Sequence, residues 1–364
     1  MEAKAPAMEY RQLGNTGLKV SVLSFGNWLE KYTPEQEAAH EQIIKIALEN
    51  GINFFDTAEA YGAGEGELQF GRIFKKLGTP REKLVISSKI YWNRNGGHVN
   101  AVGLSRKHIN EAMDMILGRL QMEYLDVVFC HRPDNDTPME ETCRAMNNLI
   151  ESGKAFYWGT SDWSAAQLGE AFRVCDRLGL IKPSAEQVEY NMLMRDKVEA
   201  EYRRFFELNK LGTTLFSPLA SGMLSGKYND GEIPEGSRFA ETKNPLLQNF
   251  VWMKYWNPES APKTKKILQG LAEIAKELGA TQPQLALAWN IVNRDTSTCI
   301  LGATKVAQFE ENLKAMEVAR KWTPEIEQKI EALLGTQPTP QLIWTKFPPA
   351  PEPSRRSISV RKIE

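Results

Sequence analysis

Residues 53–62 read NFFDTAEAYG, an apolar run that closes on Asp56 and is followed five residues later by Tyr61. Two later runs close the same way: residues 84–89, LVISSK, on Lys89, and residues 125–131, LDVVFCH, on His131. Short apolar runs rich in Val, Ile and Phe suit strands buried on both faces. Each hands its ionisable residue forward into the loop that follows. Parallel strands closed into a barrel would bring all four side chains to one rim.

Outward from this core the chain alternates. Strand-like runs at Val22–Gly26, Asn53–Thr57, Leu84–Lys89, Leu125–His131, Ala155–Thr160, Ser184–Val188, Thr213–Ser217 and Thr298–Gly302 are separated by segments of helical period. Eight strand–helix units predict an α/β fold, a (β/α)₈ or TIM barrel. Thr33-Pro34-Glu35-Gln36, Thr137-Pro138-Met139-Glu140 and Ser164-Ala165-Ala166-Gln167 read as capping boxes. Gly51, Gly78, Gly153, Gly179 and Gly279 stand where helices should stop. Ahead of the first unit, Tyr10–Leu13 and Leu18–Val20 flank Gly14-Asn15-Thr16-Gly17, a β-hairpin signal suited to plugging one end of a barrel. Residues Leu219–Pro262 form a long Gly- and Pro-punctuated insertion. Residues 1–334 are expected to form a single barrel domain, and 335–364 a Pro-rich, then basic, tail with little regular structure.

Composition narrows the function. A net charge of −1 over 364 residues gives no field for nucleic acid or an acidic membrane surface. Cys130, Cys143, Cys175 and Cys299 are scattered without metal-ligand spacing, so no metal site is expected. The N-terminal residues lack a signal-peptide core and no apolar run is long enough to span a bilayer, so the expectation is a cytoplasmic protein without membrane insertion. Small-molecule partners fit best.

The four rim residues suit proton transfer to a carbonyl. A tyrosine acts as general acid near neutral pH only if a cation favours the phenolate it leaves behind. Lys89 suits that task, and Asp56 would keep the buried lysine charged. His131 would donate to the substrate oxygen. Singly each residue reads as packing, a cap or a snorkelling cation; their common register is what points to a site. No G-x-G-x-x-G follows the first strand, so a dinucleotide would not bind as in a Rossmann fold. Phosphate sites in (β/α)₈ barrels sit in the loops after strands seven and eight. Here those loops are Ser217-Pro218-Leu219-Ala220-Ser221-Gly222, with Lys227 and Arg238, and Gly302-Ala303-Thr304-Lys305. The plainer alternative is a turn with two solvated cations.

Asp56, Tyr61, Lys89 and His131 together resemble the catalytic tetrad of the aldo-keto reductases. Segments such as GLSRKHI, HRPD, AFYWGTS, QVEYN, SPLASGMLSGKYN and LGATKVAQFEEN are similar to the branch holding the voltage-gated potassium-channel beta subunits and their plant and bacterial relatives. The resemblance implies NADPH/NADP+ bound without a Rossmann motif and reduction of aldehydes or ketones by hydride transfer. It further implies that Ser161 and Gln187 hold the nicotinamide carboxamide and Phe216 stacks on the ring. Ser217, Leu219 and Gly222 would line the pyrophosphate, with Lys227 and Arg238 near the 2′-phosphate, and Pro218, Gly302 and Thr304 would also belong to the cofactor site. Gln308, Glu311 and Asn312 would meet the adenosine end, and Trp28 and Trp92 would wall the carbonyl pocket, with Trp28 also against the cofactor. His131 stands where animal channel subunits carry Asn, which favours competent chemistry. Asp162 stands where the family often carries an amide or a basic residue. The resemblance also implies a homotetramer, and leaves a channel-associated regulatory subunit using bound NADPH as a redox sensor as the alternative to a carbonyl reductase. A barrel scaffold without turnover is a third class, disfavoured by the complete tetrad.

Overall fold

The computed structural model describes residues 8–28, 32–93, 95–241, 252–340, 342–356 and 360. Within the Leu219–Pro262 insertion, positions 242–251 lie outside the described residues, as do parts of the tail.

Eight strands close into a barrel: β3 (Leu23–Gly26), β4 (Phe54–Asp56), β5 (Val85–Ile90), β6 (Leu125–Cys130), β7 (Ala155–Ser161), β8 (Ala185–Glu189), β9 (Gly212–Phe216) and β10 (Thr298–Leu301). They follow one another around the barrel, with β10 paired back to β3 in parallel register, Cys299 opposite Leu23. Each matches a predicted run to within a residue at either end. The strands are buried almost throughout, and for that reason they read as continuous apolar runs rather than alternating ones.

Ahead of them, β1 (Tyr10–Gln12) and β2 (Lys19–Ser21) form the antiparallel hairpin, Tyr10 opposite Ser21. Leu13 and Val20 join one apolar cluster with Phe54, Val85, Val127, Phe129 and Ala185, mostly residues at the starts of barrel strands, with Leu18 and Tyr157 packed against it. The hairpin therefore seals the end of the barrel opposite the rim that carries Asp56. Gly14 makes the seal close enough: it sits at φ +59°, and a Cβ there would lie 2.3 Å from Gly212 N and 2.7 Å from Ser184 O.

The flanking helices begin and end largely where predicted. Helix α1 (Pro34–Glu49) is capped by Thr33, whose hydroxyl accepts from Gln36 N at 3.3 Å. Helix α5 (Ala165–Leu178) carries a full capping box between Ser164 and Gln167. The box expected at Thr137 does not form. Pro138 precedes α4 (Met139–Glu151), and the Thr137 hydroxyl donates instead to Asp134 Oδ2 at 2.7 Å. Asp134 also takes Leu104 N at 2.7 Å, so the loop after β6 is organised around that carboxylate rather than around the helix start.

The chain packs as two compact units. The first, Met1–Val188, Glu201–Phe216 and Asp295–Phe309, contains the hairpin and essentially the whole barrel. The second, Glu189–Ala200, Ser217–Arg294 and Glu310–Glu364, has a charged centre of its own. There Arg195 pairs with Glu199 at 2.7 Å and Glu331 at 2.9 Å. Arg356, from the C-terminal tail, is fully buried with its guanidinium 3.7 Å from the Trp289 ring centroid and two nitrogens on Glu327, at 2.6 and 2.9 Å. The tail also forms a small antiparallel pair, Leu342–Ile343 with Ala350–Pro351.

Candidate active site

All four predicted rim residues meet in the first unit. Asp56 is the last residue of β4, Lys89 the penultimate residue of β5 and His131 the first residue after β6. Tyr61 opens a short turn, Tyr61–Gly64, beyond β4. Because neighbouring strands run in register at this rim, Gly26 opposite Asp56 and Asp56 opposite Ser87, the strand ends converge on one point.

The lysine is the hub. Its ammonium has three protons, and Nζ donates to Asp56 Oδ2 at 2.5 Å, to the Thr57 carbonyl at 2.8 Å and to Tyr61 Oη at 3.0 Å. The third bond has a direction that matters. Tyr61 oxygen accepts from Lys89, which leaves the phenol's own proton available for another acceptor. Asp56 is fixed from its other side by Ser87 Oγ at 2.7 Å and Gln187 Nε2 at 3.1 Å. The Lys89 and Asp56 side chains are only 1% and 3% exposed, so their attraction is poorly screened.

Burial alone would pull Lys89 below its ordinary pKa, but Asp56 and then Tyr61 outweigh it and the ammonium is held above that value. For Tyr61 burial is the largest influence and raises the phenol; Lys89 and, more weakly, Arg132 pull it down, and burial wins. The phenol thus keeps its proton at neutral pH while a cation stands ready to stabilise the phenolate.

Aromatic rings enclose the exposed side of this cluster. The His131 ring stands edge-on to Tyr61, with centroids 6.0 Å apart, and to Trp92, 4.9 Å apart. Trp92 follows β5 and its backbone bridges to Val102. Trp28, two residues past β3, is partly exposed.

The residues expected to hold a nicotinamide also lie on this rim. Ser161 ends β7 directly opposite Gln187 of β8, both buried, and Phe216 ends β9 half-exposed. One amide proton of Gln187 goes to Asp56, so Gln187 braces the lysine's partner as well. In the second unit, Ser217, Pro218 and Leu219 lead into the turn Ala220–Ser225. Ser217, Ala220 and Ser221 take φ of 49°, 50° and 56°, unusual for non-glycine residues, and Gly222 takes 101°. Such backbone occurs where a loop is held in one shape, as around a bound anion. Lys227 and Arg238 are exposed in that unit, and Glu311 and Asn312 belong to it too. Gly302, Thr304 and Gln308 follow β10 in the first unit.

Sequence reasoning passed over several participants. Arg132 is the clearest: Nη1 donates to the His131 carbonyl at 2.6 Å and Ser161 Oγ at 3.0 Å, and Nη2 lies 3.3 Å from Asp162 Oδ2. Its position directly after a rim histidine, in HRPD, was the available signal. A second layer lies behind Tyr61. Glu59 N donates to the Lys89 carbonyl at 3.2 Å, while its carboxylate takes Tyr91 N at 2.6 Å and sits 3.1 Å from His108 Nε2. Nothing in the spacing of Glu59 and His108 announces that contact.

A closed parallel barrel with a Tyr–Lys–Asp–His cluster at the strand ends defines a class of oxidoreductase barrel. A family model described as "Aldo/keto reductase family" matches residues 22–333, and the chain belongs to that family. Among curated proteins it is similar to a "Probable voltage-gated potassium channel subunit beta" of Arabidopsis thaliana, 46% identical over 331 residues, covering 91% of this chain and 98% of that one. A protein of the same name from Oryza sativa subsp. japonica is 45% identical with the same coverage. Membership supports oxidoreductase chemistry.

Proposed function

We propose that this protein reduces aldehydes or ketones to alcohols with NADPH, using Tyr61 as the general acid. The observation that carries the proposal is the direction of the Lys89–Tyr61 hydrogen bond, which spends the phenol's acceptor and frees its proton. NADPH would supply the hydride to the carbonyl carbon. As negative charge grows on the carbonyl oxygen, Tyr61 passes its proton there and becomes a phenolate paired with the Lys89 ammonium. Asp56 keeps that ammonium charged, and Ser87 and Gln187 keep Asp56 in place. His131 donates a hydrogen bond to the same oxygen. Product release is followed by return of a proton to Tyr61 from solvent.

The donor set fits a nicotinamide cofactor: hydroxyl and amide groups of Ser161 and Gln187 for the carboxamide, and the Phe216 ring for stacking. Ser217, Pro218, Leu219, Gly222, Gly302 and Thr304 are assigned to the phosphates, Lys227 and Arg238 to the 2′-phosphate, and Gln308, Glu311 and Asn312 to the adenosine end. Trp28 and Trp92 are assigned to the substrate pocket. A cytoplasmic homotetramer completes the reading. The names of the relatives favour a second one, a regulatory channel subunit that uses the same bound cofactor as a redox sensor.

Tyr61→Phe tests the proposal. It removes the transferable proton and keeps the ring, so NADPH binding should persist while aldehyde reduction falls by at least ~100-fold. Undiminished turnover would remove Tyr61 from the chemistry.

A further inference from the structure

Arg132 does something the tetrad does not require. Its guanidinium stands at the rim with its carbon 6.0 Å from the Trp92 ring centroid and 5.9 Å from that of Phe216. It is close enough to Tyr61 to favour the phenolate. Two of its contacts, the His131 carbonyl and Ser161 Oγ, both fall on Nη1. Asp162 is a loose partner: 3.3 Å from Nη2, with side chains 33% and 24% exposed, it forms a pair weakened by solvent. Nε has no hydrogen-bond partner among the described residues and Nη2 only the loose Asp162 pair, with the Trp92 and Phe216 rings each about 6 Å from the guanidinium carbon.

A guanidinium anchored through Nη1, with Nε unpartnered and Nη2 held only by a solvent-weakened carboxylate, is a receptor for a planar oxyanion that displaces that carboxylate. A neutral aldehyde gains nothing from such a group, whereas a carbonyl compound bearing a carboxylate would be oriented by it with its carbonyl toward Tyr61 and His131.

We infer that Arg132 is a substrate-recognition residue and that the preferred substrates are carboxylate-bearing aldehydes or ketones, with Asp162 tempering the affinity. This inference rests on the carbonyl-reductase reading for its chemistry but not for its binding. The competing account makes Arg132 a staple between the loops after β6 and β7; loss of a staple would affect every substrate alike.

The test compares 4-carboxybenzaldehyde with its neutral methyl ester, methyl 4-formylbenzoate, using the full-length protein and NADPH. Wild type should favour the carboxylate in kcat/KM by about tenfold, through KM. Arg132→Gln should abolish that ratio, costing the carboxylate substrate about tenfold more than the ester, and Asp162→Asn should raise it. A wild-type ratio at or below one, or equal loss of both substrates in Arg132→Gln, would overturn the inference. If Arg132→Gln does not fold, Asp162→Asn decides, since it leaves the guanidinium in place; an unchanged ratio counts against the inference. Calorimetric titration with 4-methylbenzoate, which cannot be reduced, separates the two readings. Were neither aldehyde turned over, binding of this anion by wild type, about tenfold weaker in Arg132→Gln, would sustain the anion site while the reductase reading fell. No binding would sink the anion site itself.

Discussion

Replacing Asp56 by Asn removes the charge that justifies a lysine in the barrel interior, and the structure sets the scale of the effect. At 2.5 Å, an effective dielectric of about 20 gives a gross attraction of roughly 7 kcal/mol between Lys89 and Asp56, much of it offset by the cost of desolvating both groups. Breaking such a pair from one side leaves an uncompensated buried charge, so Asp56→Asn should destabilise the protein by about 3–5 kcal/mol. Lys89→Met should cost toward the lower end of that range, because Ser87 and Gln187 still donate to Asp56. With neither charge present the penalty disappears, so the double variant should be more stable than the sum of the singles by at least ~2 kcal/mol. Equilibrium urea unfolding of the four proteins at pH 7, followed by tryptophan fluorescence, measures that coupling. Turnover should be lost in all three variants, which separates the pair's structural role from its catalytic one. If the two single effects add to within ~0.5 kcal/mol, the ion pair does not hold this site together and the account of Lys89 is wrong.

Three further outcomes are expected. His131→Asn should slow single-turnover hydride transfer by roughly tenfold, about 1.4 kcal/mol of barrier, with NADPH affinity unchanged; an equal rate would reduce His131 to a packing residue and favour the regulatory reading. Glu67 is buried against Arg119, and burial pushes its carboxyl up to about 7 from an ordinary 4.5. A folded value above the unfolded one means stabilisation that is complete below pH 4.5 and lost as pH rises through 7. The wild-type minus Glu67→Gln stability difference should therefore fall by roughly 3 kcal/mol across that window, and a flat difference in pH-dependent urea unfolding would refute the assignment. Arg356→Met strips a buried guanidinium from Glu327 and Trp289 and should cost on the order of 3 kcal/mol in the same assay, whereas a loss below ~0.5 kcal/mol would show that the tail merely rests on the second unit.

The barrel was legible because both of its signals are local. Runs such as LVISSK and LDVVFCH are short, apolar and β-branched, and each ends in a residue that belongs at a rim, so strand position and site position are written in the same few letters. Direction placed Asp56, Lys89 and His131 at one rim, and the resemblance to the aldo-keto reductases joined them with Tyr61. What stayed hidden depends on partners distant in sequence. Gln187 reaches Asp56 across 131 positions, and His108 meets Glu59 across 49; no periodicity encodes either. Thr137 failed as a cap for a related reason: its sequence is right for a helix start, but Asp134 three residues earlier offers its hydroxyl a charged acceptor. Net pKa directions were equally out of reach, because a phenol beside a lysine could move either way until its burial was known.

The hairpin that floors the barrel also fixes an order of events. Gly14 docks against Ser184 and Gly212, and Val22 N donates to Glu9 O while Cys299 N donates to Val22 O, so the first strands lean on partners made last. About 200 residues separate Gly14 from Gly212. At the pace of synthesis, ~5–20 residues per second, the hairpin leaves the ribosome some 10–40 s before its dock exists. During that interval Leu13 and Val20 can pack only on the part of their cluster already made, Phe54, Val85, Val127 and Phe129, and the final seal waits for Ala185 and Gly212.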